Sequence, residues 1–357
     1  MRTQSSRLDF AGQTVDVGID VSKRSWRVAV FVAGYEHKVF TQPPSVEPLA
    51  RYLRRNFPGA RYRCVYEAGY FGFWIHDDLR EHGIECMVVN PADVPTKDKE
   101  RRNRNDKVDA RKLARGLASG ELSPVYVPLR EAVEARSLVR ARWDIVKKQT
   151  RCRSQIRAML MLYGIFLPED LIHAHWSRGF LQWLQQVSFD TSSGQHAFEL
   201  RLQELHSLGT FLAQVTAHIR ALSTQQPYTE DVQNLLSIPG VGTLTAMILL
   251  TEIVDINRFK NLDHLASYVG LVPGEDSSGD QEHTTGITPR RNRHLRRLLI
   301  EASWTAVRKD PALLQSFLQL TRRMSKTRAI VRIARKLLNR IRYVLKNKAP
   351  YQTCVVQ

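Results

Sequence analysis

Two aspartates three residues apart, Asp106 and Asp109, lie in the strongly basic run RRNRNDKVDARKLA. If the run is helical, that spacing puts both carboxylates on one face. They would sit among Arg101, Arg102, Arg104, Lys107, Arg111 and Lys112, cations suited to holding phosphates. Two further acids stand at the ends of short apolar segments, Asp20 after TVDVGI and Glu67 in CVYEA. An acid in a strand is costly to bury unless it is paired or binds a metal. Hard carboxylate oxygens suit Mg²⁺, with Mn²⁺ as the alternative. Two such ions can stabilise both the attacking and the leaving oxygen of an in-line phosphoryl transfer. On spacing alone, a four-carboxylate metal site and unrelated surface acids with local ion pairs both stay open.

The elements that must position these acids can be read from periodicity. TVDVGIDVS alternates Val15, Val17, Ile19 and Val21 on one face, which leaves Asp20 pointing to the other. SWRVAVFVA follows after a very short connection, and HKVFTQ extends the pattern to a three-stranded antiparallel meander. SVEPLARYLRRNF reads as a helix capped by Ser45, YRCVYEA as a strand, FWIHDDLREHG as a helix closed by Gly83, and ECMVVNP as a strand. The expected class is an α/β domain over residues 1–130, a mixed sheet with helices packed on it. Residues 131–228 have helical periodicity and read as two long helices forming an antiparallel hairpin or coiled coil. Their apolar stripes would run through Leu138, Trp143, Val146, Ile156, Met159 and Leu160, and through Leu202, Leu205, Leu208, Leu212 and Val215. A dimerisation or clamping arm and an ordinary bundle core are both compatible with that pattern.

Residues 229–357 read as a mainly α domain. SIPGVGTLTAMILLTEI places a tight glycine turn before a helix, like a helix-hairpin-helix, whose backbone amides can meet a phosphate. A purely structural turn explains the motif equally well. A loop rich in Gly, Ser and Asp follows, then a basic helix and an amphipathic tail with Ile330, Ile333, Leu337, Ile341 and Val344 at helical spacing.

The net charge is +18, and residues 286–348 carry most of the excess, with eighteen Lys or Arg against Glu301 and Asp310. Such self-repulsion is ordinarily compensated by a polyanion, and nucleic acid is the expected partner. Arg290, Arg291, Arg293, His294, Arg296 and Arg297 would contact phosphates, giving affinity without sequence readout. A membrane surface fits less well, because aromatic anchors are not clustered there. No apolar run reaches the roughly 20 residues of a membrane span, and MRTQSSRLDFAGQTVD lacks the apolar stretch of a secretory signal. Cys64, Cys86, Cys152 and Cys354 are far apart in sequence and suggest neither a zinc site nor a disulfide framework, so a reducing cytoplasm is expected.

Six motifs occur in a fixed order: GIDVSK, VYEAGYFG, NRNDKVDARKLA, SIPGVGTLTAMILLTEI, YVGLVPGEDSSG and GITPRRNRHLRRLLIEASW. In that order the chain resembles, from about residue 15 to 348, the DEDD transposases of bacterial insertion sequences. These have a RuvC-like, ribonuclease-H-like N-terminal domain and a C-terminal transposase domain. The resemblance implies that Asp20, Glu67, Asp106 and Asp109 form the metal site. It implies also that a serine of SSG, Ser278 with Ser277 as the fallback, attacks DNA to form a covalent phosphoserine link. A structured bridge RNA would pair with target and donor DNA. Dimers would assemble into a tetramer, each active site joining the acidic domain of one subunit to the serine domain of another, in the bacterial cytoplasm at the nucleoid. A serine hydroxyl needs a nearby base or metal to act as a nucleophile, so that sharing would complete it.

Without the resemblance, a serine in a Gly/Asp-rich loop is ordinary turn chemistry. Tyr66, Tyr70, Phe71, Phe73 and Trp74 surround Glu67 in sequence and could stack on unpaired bases, although most should serve the core. Two other functions remain: a metal-dependent junction resolvase that uses water and forms no covalent link, and a non-catalytic nucleic-acid-binding protein.

Overall fold

The computed structural model describes residues 9–94, 106–171, 176–278, 281–287 and 292–353; Asp106, Lys107, Asp170 and the strands within 273–287 are described by backbone alone. The chain forms two compact units, residues 1–127 and 128–357.

In the first unit β1 (Thr14–Val21), β2 (Trp26–Val32) and β3 (Tyr35–Gln42) form the expected antiparallel meander. Helix α1 (Val46–Asn56) leads to β4 (Arg61–Glu67), which lies parallel to β1. Helix α2 (Trp74–Glu81) leads to β5 (Glu85–Val89), parallel to β4. The sheet order is β3-β2-β1-β4-β5. Ser45 is the N-cap residue of α1, as expected, although its hydroxyl makes no capping hydrogen bond. Gly83 ends α2 with φ of +74°, the left-handed conformation that glycine adopts without a Cβ penalty.

The two faces of the sheet are covered differently because alternate residues point to opposite sides. Val15, Val17, Ile19, Val28, Val30, Cys64 and Tyr66 pack with Leu49 and Leu53 of α1 and Ile75 and Leu79 of α2. Each fully buried aliphatic side chain there contributes about 1.5–3 kcal/mol. The other face carries α3 (Asp106–Ser119), whose Ala110 and Ala114 meet Ala29 and Phe31 while Leu113 and Leu117 meet Val65. Gly18 is what lets α3 lie this close: a Cβ there would come within 2.1 Å of the Ala110 carbonyl oxygen and 2.4 Å of the Ala114 nitrogen.

In the second unit α4 (Arg130–Leu162) and α6 (Ser192–Ser223) are long and antiparallel, and α5 (Arg178–Gln186) lies between them in sequence. Their buried stripe is Ala135, Val139, Cys152, Ile156 and Leu160 against Phe198, Leu205, Leu208, Val215 and Ile219. Trp143, Val146 and Met159 are only half-buried, so the stripe is rotated from the one that the largest side chains suggest. Then follow α7 (Thr229–Leu236), α8 (Thr243–Ile253) and α9 (Leu262–Val269). Next come β6 (Pro273–Ser278) and β7 (Gln281–Ile287), then α10 (Arg293–Lys309), α11 (Pro311–Thr321) and α12 (Lys326–Asn347). Val139, Val215 and Ile219 share one core with residues of α7 to α12, so the long helices and the C-terminal part are a single body. The α12 stripe of Ile330, Ile333, Leu337, Ile341 and Val344 is fully buried in that core.

The segment expected as a Gly/Ser/Asp-rich loop is instead an antiparallel hairpin, with Ser277 opposite Glu282 and Ser278 opposite Gln281. Gly and Asp are poor strand formers, which hides it from composition. The PGVG turn joins α7 to α8, and Gly240 has φ of +90° and approaches the α10 backbone so closely that a Cβ would lie 2.5 Å from the Ala302 carbonyl oxygen. That contact alone explains this glycine as a structural turn.

Candidate active site

Strand pairing brings the first two acids together. The parallel register matches Gly18 with Val65 and Ile19 with Tyr66, so Asp20 and Glu67 come next at the C-terminal ends of neighbouring strands. Both fall on the face that carries Gly18 and Val65, the side covered by α3. Helix α3 crosses this face with Ala110 and Ala114 over Gly18.

The electrostatics locate Asp109. Burial raises the Glu67 carboxyl above the usual range, the Asp109 charge raises it further, and the Lys112 ammonium opposes both. Lys112 Nζ lies 3.4 Å from Asp109 Oδ1, in a side chain only 12% exposed. Asp109 therefore does form the local ion pair that its spacing allowed, and it stands beside Glu67 as well. Sequence reasoning assigned Lys112 to phosphates and gave no hint of this place between two acids. Arg111, assigned likewise, makes a bidentate ion pair with Glu36 of β3, with its Nη2 at 2.9 Å.

The side chains of Asp106 and Lys107 and the whole of Arg101, Arg102 and Arg104 lie outside the described residues. Among the described residues, no group of three or more His, Cys, Asp or Glu side chains is close enough to hold a metal ion. A half-buried carboxylate that a second carboxylate disfavours is nevertheless donor chemistry that a hard divalent cation would relieve. Asp16, farther back along β1 on the same face, is answered differently: Arg63 Nε donates to its Oδ1 at 2.7 Å. Burial still holds that carboxyl above its ordinary value.

The aromatics near Glu67 divide as the pleat requires. Tyr66 is buried on the opposite face, its hydroxyl donating to the Gly72 carbonyl at 3.0 Å. Phe71 and Phe73 pack on the core, whereas Tyr70 is fully exposed and Trp74 is half-exposed against Trp26. Cys64 and Cys86, distant in sequence, are cross-strand neighbours and free thiols. Burial drives Cys64 well up and Cys86 to about 12, so neither offers a thiolate ligand.

In the second unit the backbone of Ser277 and Ser278 ends β6; their side chains, and Arg290 and Arg291, lie outside the described residues. Of the other expected phosphate contacts, Arg293 is exposed. Arg296 Nη1 donates to the Gly270 carbonyl at 2.7 Å, and Arg297 pairs with Glu301 and stacks 4.8 Å from the Trp143 ring centre. His294 is half-buried against Trp143, and burial lowers its pKa from the ordinary histidine value.

The arginines of the basic tail, expected from the sequence to be solvated or phosphate-facing, border a groove. The groove, of about 1390 Å³, runs between α11 and α12, floored by Leu313, Met324 and Val331. Exposed Arg323, Arg328 and Arg332 line it, while its other arginines Arg335 and Arg340 are ion-paired with Asp263 and Asp310. Among the described residues, no helix is long and apolar enough to cross a membrane.

Known proteins resemble both units. A DEDD transposase family model of the IS110 type matches residues 17–165, and a model described as "Transposase IS116/IS110/IS902 family" matches residues 232–319. The putative transposase y4qE of Sinorhizobium fredii is 33% identical over 297 residues, covering 81% of this chain and 71% of the relative. The putative transposase y4rJ of the same organism is 28% identical, covering 93% and 91% respectively. The transposase for insertion sequence element IS1111A of Coxiella burnetii is 29% identical, covering 63% and 60%. The family models and the relatives define the class, a transposase that processes DNA. The chain belongs to the IS116/IS110/IS902 family of insertion-sequence transposases.

Proposed function

We propose that this transposase recombines DNA through a covalent phosphoserine intermediate, with a RuvC-like carboxylate site and with sequence choice delegated to a structured bridge RNA. The observation that supports the reading is the register that sets Asp20 and Glu67 at the C-terminal ends of neighbouring strands, with Asp109 of α3 near enough to Glu67 to raise its carboxyl. Asp20, Glu67, Asp106 and Asp109 would hold Mg²⁺ or Mn²⁺, which when bound supplies charge stabilisation at the scissile phosphate. Lys112 then keeps Glu67 and Asp109 from repelling each other before substrate arrives.

Ser278, or Ser277 in its place, is the nucleophile. Its Oγ bonds to phosphorus, the ester bond to one deoxyribose oxygen breaks, and the hydroxyl proton leaves to a base while the freed sugar oxygen gains one. A sugar hydroxyl from the partner strand then attacks the phosphoserine, re-forming a phosphodiester and releasing the serine. Phosphoester bonds are conserved throughout, so no external energy source is needed. The basic surface of α10 and the groove beside α12 support binding of the nucleic-acid backbones, while base pairing would select sequence. Dimers assembling into a tetramer would bring a serine of one subunit to the acids of another.

The test uses full-length protein, its own RNA and both DNAs, with Asp20→Asn and Ser278→Ala variants. Exchange lost in both, with RNA binding intact, is expected. Hydrolysed ends with Ser278→Ala still active would favour the water-using resolvase, and full activity of Asp20→Asn would remove the carboxylate site.

A further inference from the structure

Glu252, in the LLTEI of α8, is 1% exposed, and it is a charge that a helix core does not need. Replacing a buried ion pair by apolar residues is often neutral or stabilising, so such a group is better explained by what it holds in place. Its carboxylate accepts from Arg140 Nε at 2.8 Å and Nη2 at 2.9 Å, and from Asn292 Nδ2 at 2.7 Å. Burial alone would raise its pKa, yet Arg140, Asn292 and Arg136 together outweigh that and hold it below the usual range. Glu252 stays charged.

Asn292 is where the chain returns from the β6–β7 hairpin. Its Oδ1 caps α10 by accepting from the His294 and Leu295 amides at 3.1 Å. Its own backbone N–H donates to the Tyr268 carbonyl at 3.0 Å, five residues before β6 begins. The Tyr268 hydroxyl closes the ring by donating to the Glu252 carbonyl at 3.0 Å. Arg296 Nη1 adds a second tie across the neck, to Gly270, which ends α9 in the left-handed conformation. The outgoing and returning chains of the hairpin are thus buckled together, and one carboxylate anchors the buckle to α4 and α8.

We propose that Glu252 and Asn292 are positioning residues for strand exchange, their hydrogen bond fixing the neck from which the serine-bearing hairpin leaves the helical unit. This rests on the serine reading above. The polarity of the bond gives a specific test. Asn292→Asp keeps a good N-cap for α10 but sets two carboxylates against each other. The double variant Glu252→Gln/Asn292→Asp restores the bond with donor and acceptor exchanged. The amide nitrogen introduced on α8 takes the place of Oε2 and can donate to the carboxylate introduced at the cap, while the remaining oxygen accepts from Arg140 Nε; the bond that Oε2 accepts from Arg140 Nη2 is given up.

For Asn292→Asp we expect covalent protein–DNA adduct to form about tenfold or more slowly, as displacement of a reacting group does. DNA affinity should stay within about twofold, and the amides of residues 273–287 should exchange hydrogen faster. The double variant should return adduct formation to within about threefold of the parent, since the pair acts as a unit. Parent-like adduct formation and exchange in Asn292→Asp would overturn the proposal. So would losses of adduct and affinity in proportion that the double variant fails to restore. If the single variant does not fold, the double variant carries the test by itself, and slow adduct formation in it counts against the proposal. A Ser277→Ala/Ser278→Ala chain run alongside separates the two ideas: cleavage by that chain removes the serine reading, and the clasp is then judged on hairpin exchange and cleavage rate.

Discussion

Replacing Gly18 by alanine should damage the carboxylate site without touching a carboxylate. The added Cβ would stand 2.1 Å from the Ala110 carbonyl oxygen, 2.4 Å from the Ala114 nitrogen and 3.0 Å from Leu113 Cβ. The first two are backbone atoms of α3 and cannot rotate away, so the helix must retreat by roughly 1 Å. Overpacking of this kind costs about 1–3 kcal/mol, readable as a lower urea midpoint for the N-terminal unit. A separate catalytic cost of similar size should appear, because Asp106 and Asp109 travel with the helix while Asp20 and Glu67 stay on the sheet. A shift near 1 Å in a reacting constellation can cost on the order of 100-fold. Leu117→Ala is the control. It empties the same interface, at Leu117, Val65 and Leu122, and should lose about 2–5 kcal/mol without pushing the helix outward. DNA cleavage measured well below each variant's unfolding midpoint should fall far more in Gly18→Ala than in Leu117→Ala. Equal stability and equal cleavage in Gly18→Ala and the parent would refute the argument that α3 sets the site.

Three further outcomes are expected. Burial lowers the His294 pKa, so the unfolded chain binds its proton first; the stability due to neutral His294 is present above 6.5 and is lost as pH falls through that value toward the folded pKa. His294→Gln should flatten that part of the urea midpoint's dependence on pH, and an unchanged profile would count against the burial. Arg328→Ala and Arg332→Ala should each weaken nucleic-acid binding evenly across sequences and lower the salt slope by roughly 1, as loss of a phosphate contact does. Binding that weakens for one sequence only would argue that the groove beside α12 is not a backbone contact. Arg140→Ala should strip Glu252 of its ion-pair partner, leaving Asn292 and Arg136 to answer a buried charge, and destabilise the helical unit by about 3–5 kcal/mol, read by urea unfolding.

The N-terminal fold was largely legible because strands announce their faces. Val15, Val17 and Ile19 marked the buried side of β1, which left Asp20 on the other, and the structure keeps that alternation. Pairing partners were not legible, since no local pattern states which strand lies beside which. Cys64 beside Cys86 and Asp20 beside Glu67 both follow from parallel register. In the long helices bulk is a poor guide to the buried face: Ala135, Val139 and Cys152 are buried, while Trp143 is drawn to His294 and Arg297 by its ring. Glu252 gives no local signal in an apolar helix, because its role depends on Arg140 and Asn292, which lie far from it in sequence on either side. Lys112 reads as one more cation of a basic run, and only the packing of α3 on the sheet sets it beside Asp109 and Glu67.

The central claim, that a serine of the β6–β7 hairpin attacks DNA, can be measured directly. Full-length protein is incubated with its RNA, donor and target DNA and Mg²⁺, quenched during exchange, digested, and the peptide bearing a nucleotide is sequenced by mass spectrometry. The account predicts a nucleotide on Ser278 or Ser277, absent when Asp20→Asn replaces the parent. An adduct on any other residue, or complete exchange with no adduct at any time point, would contradict it.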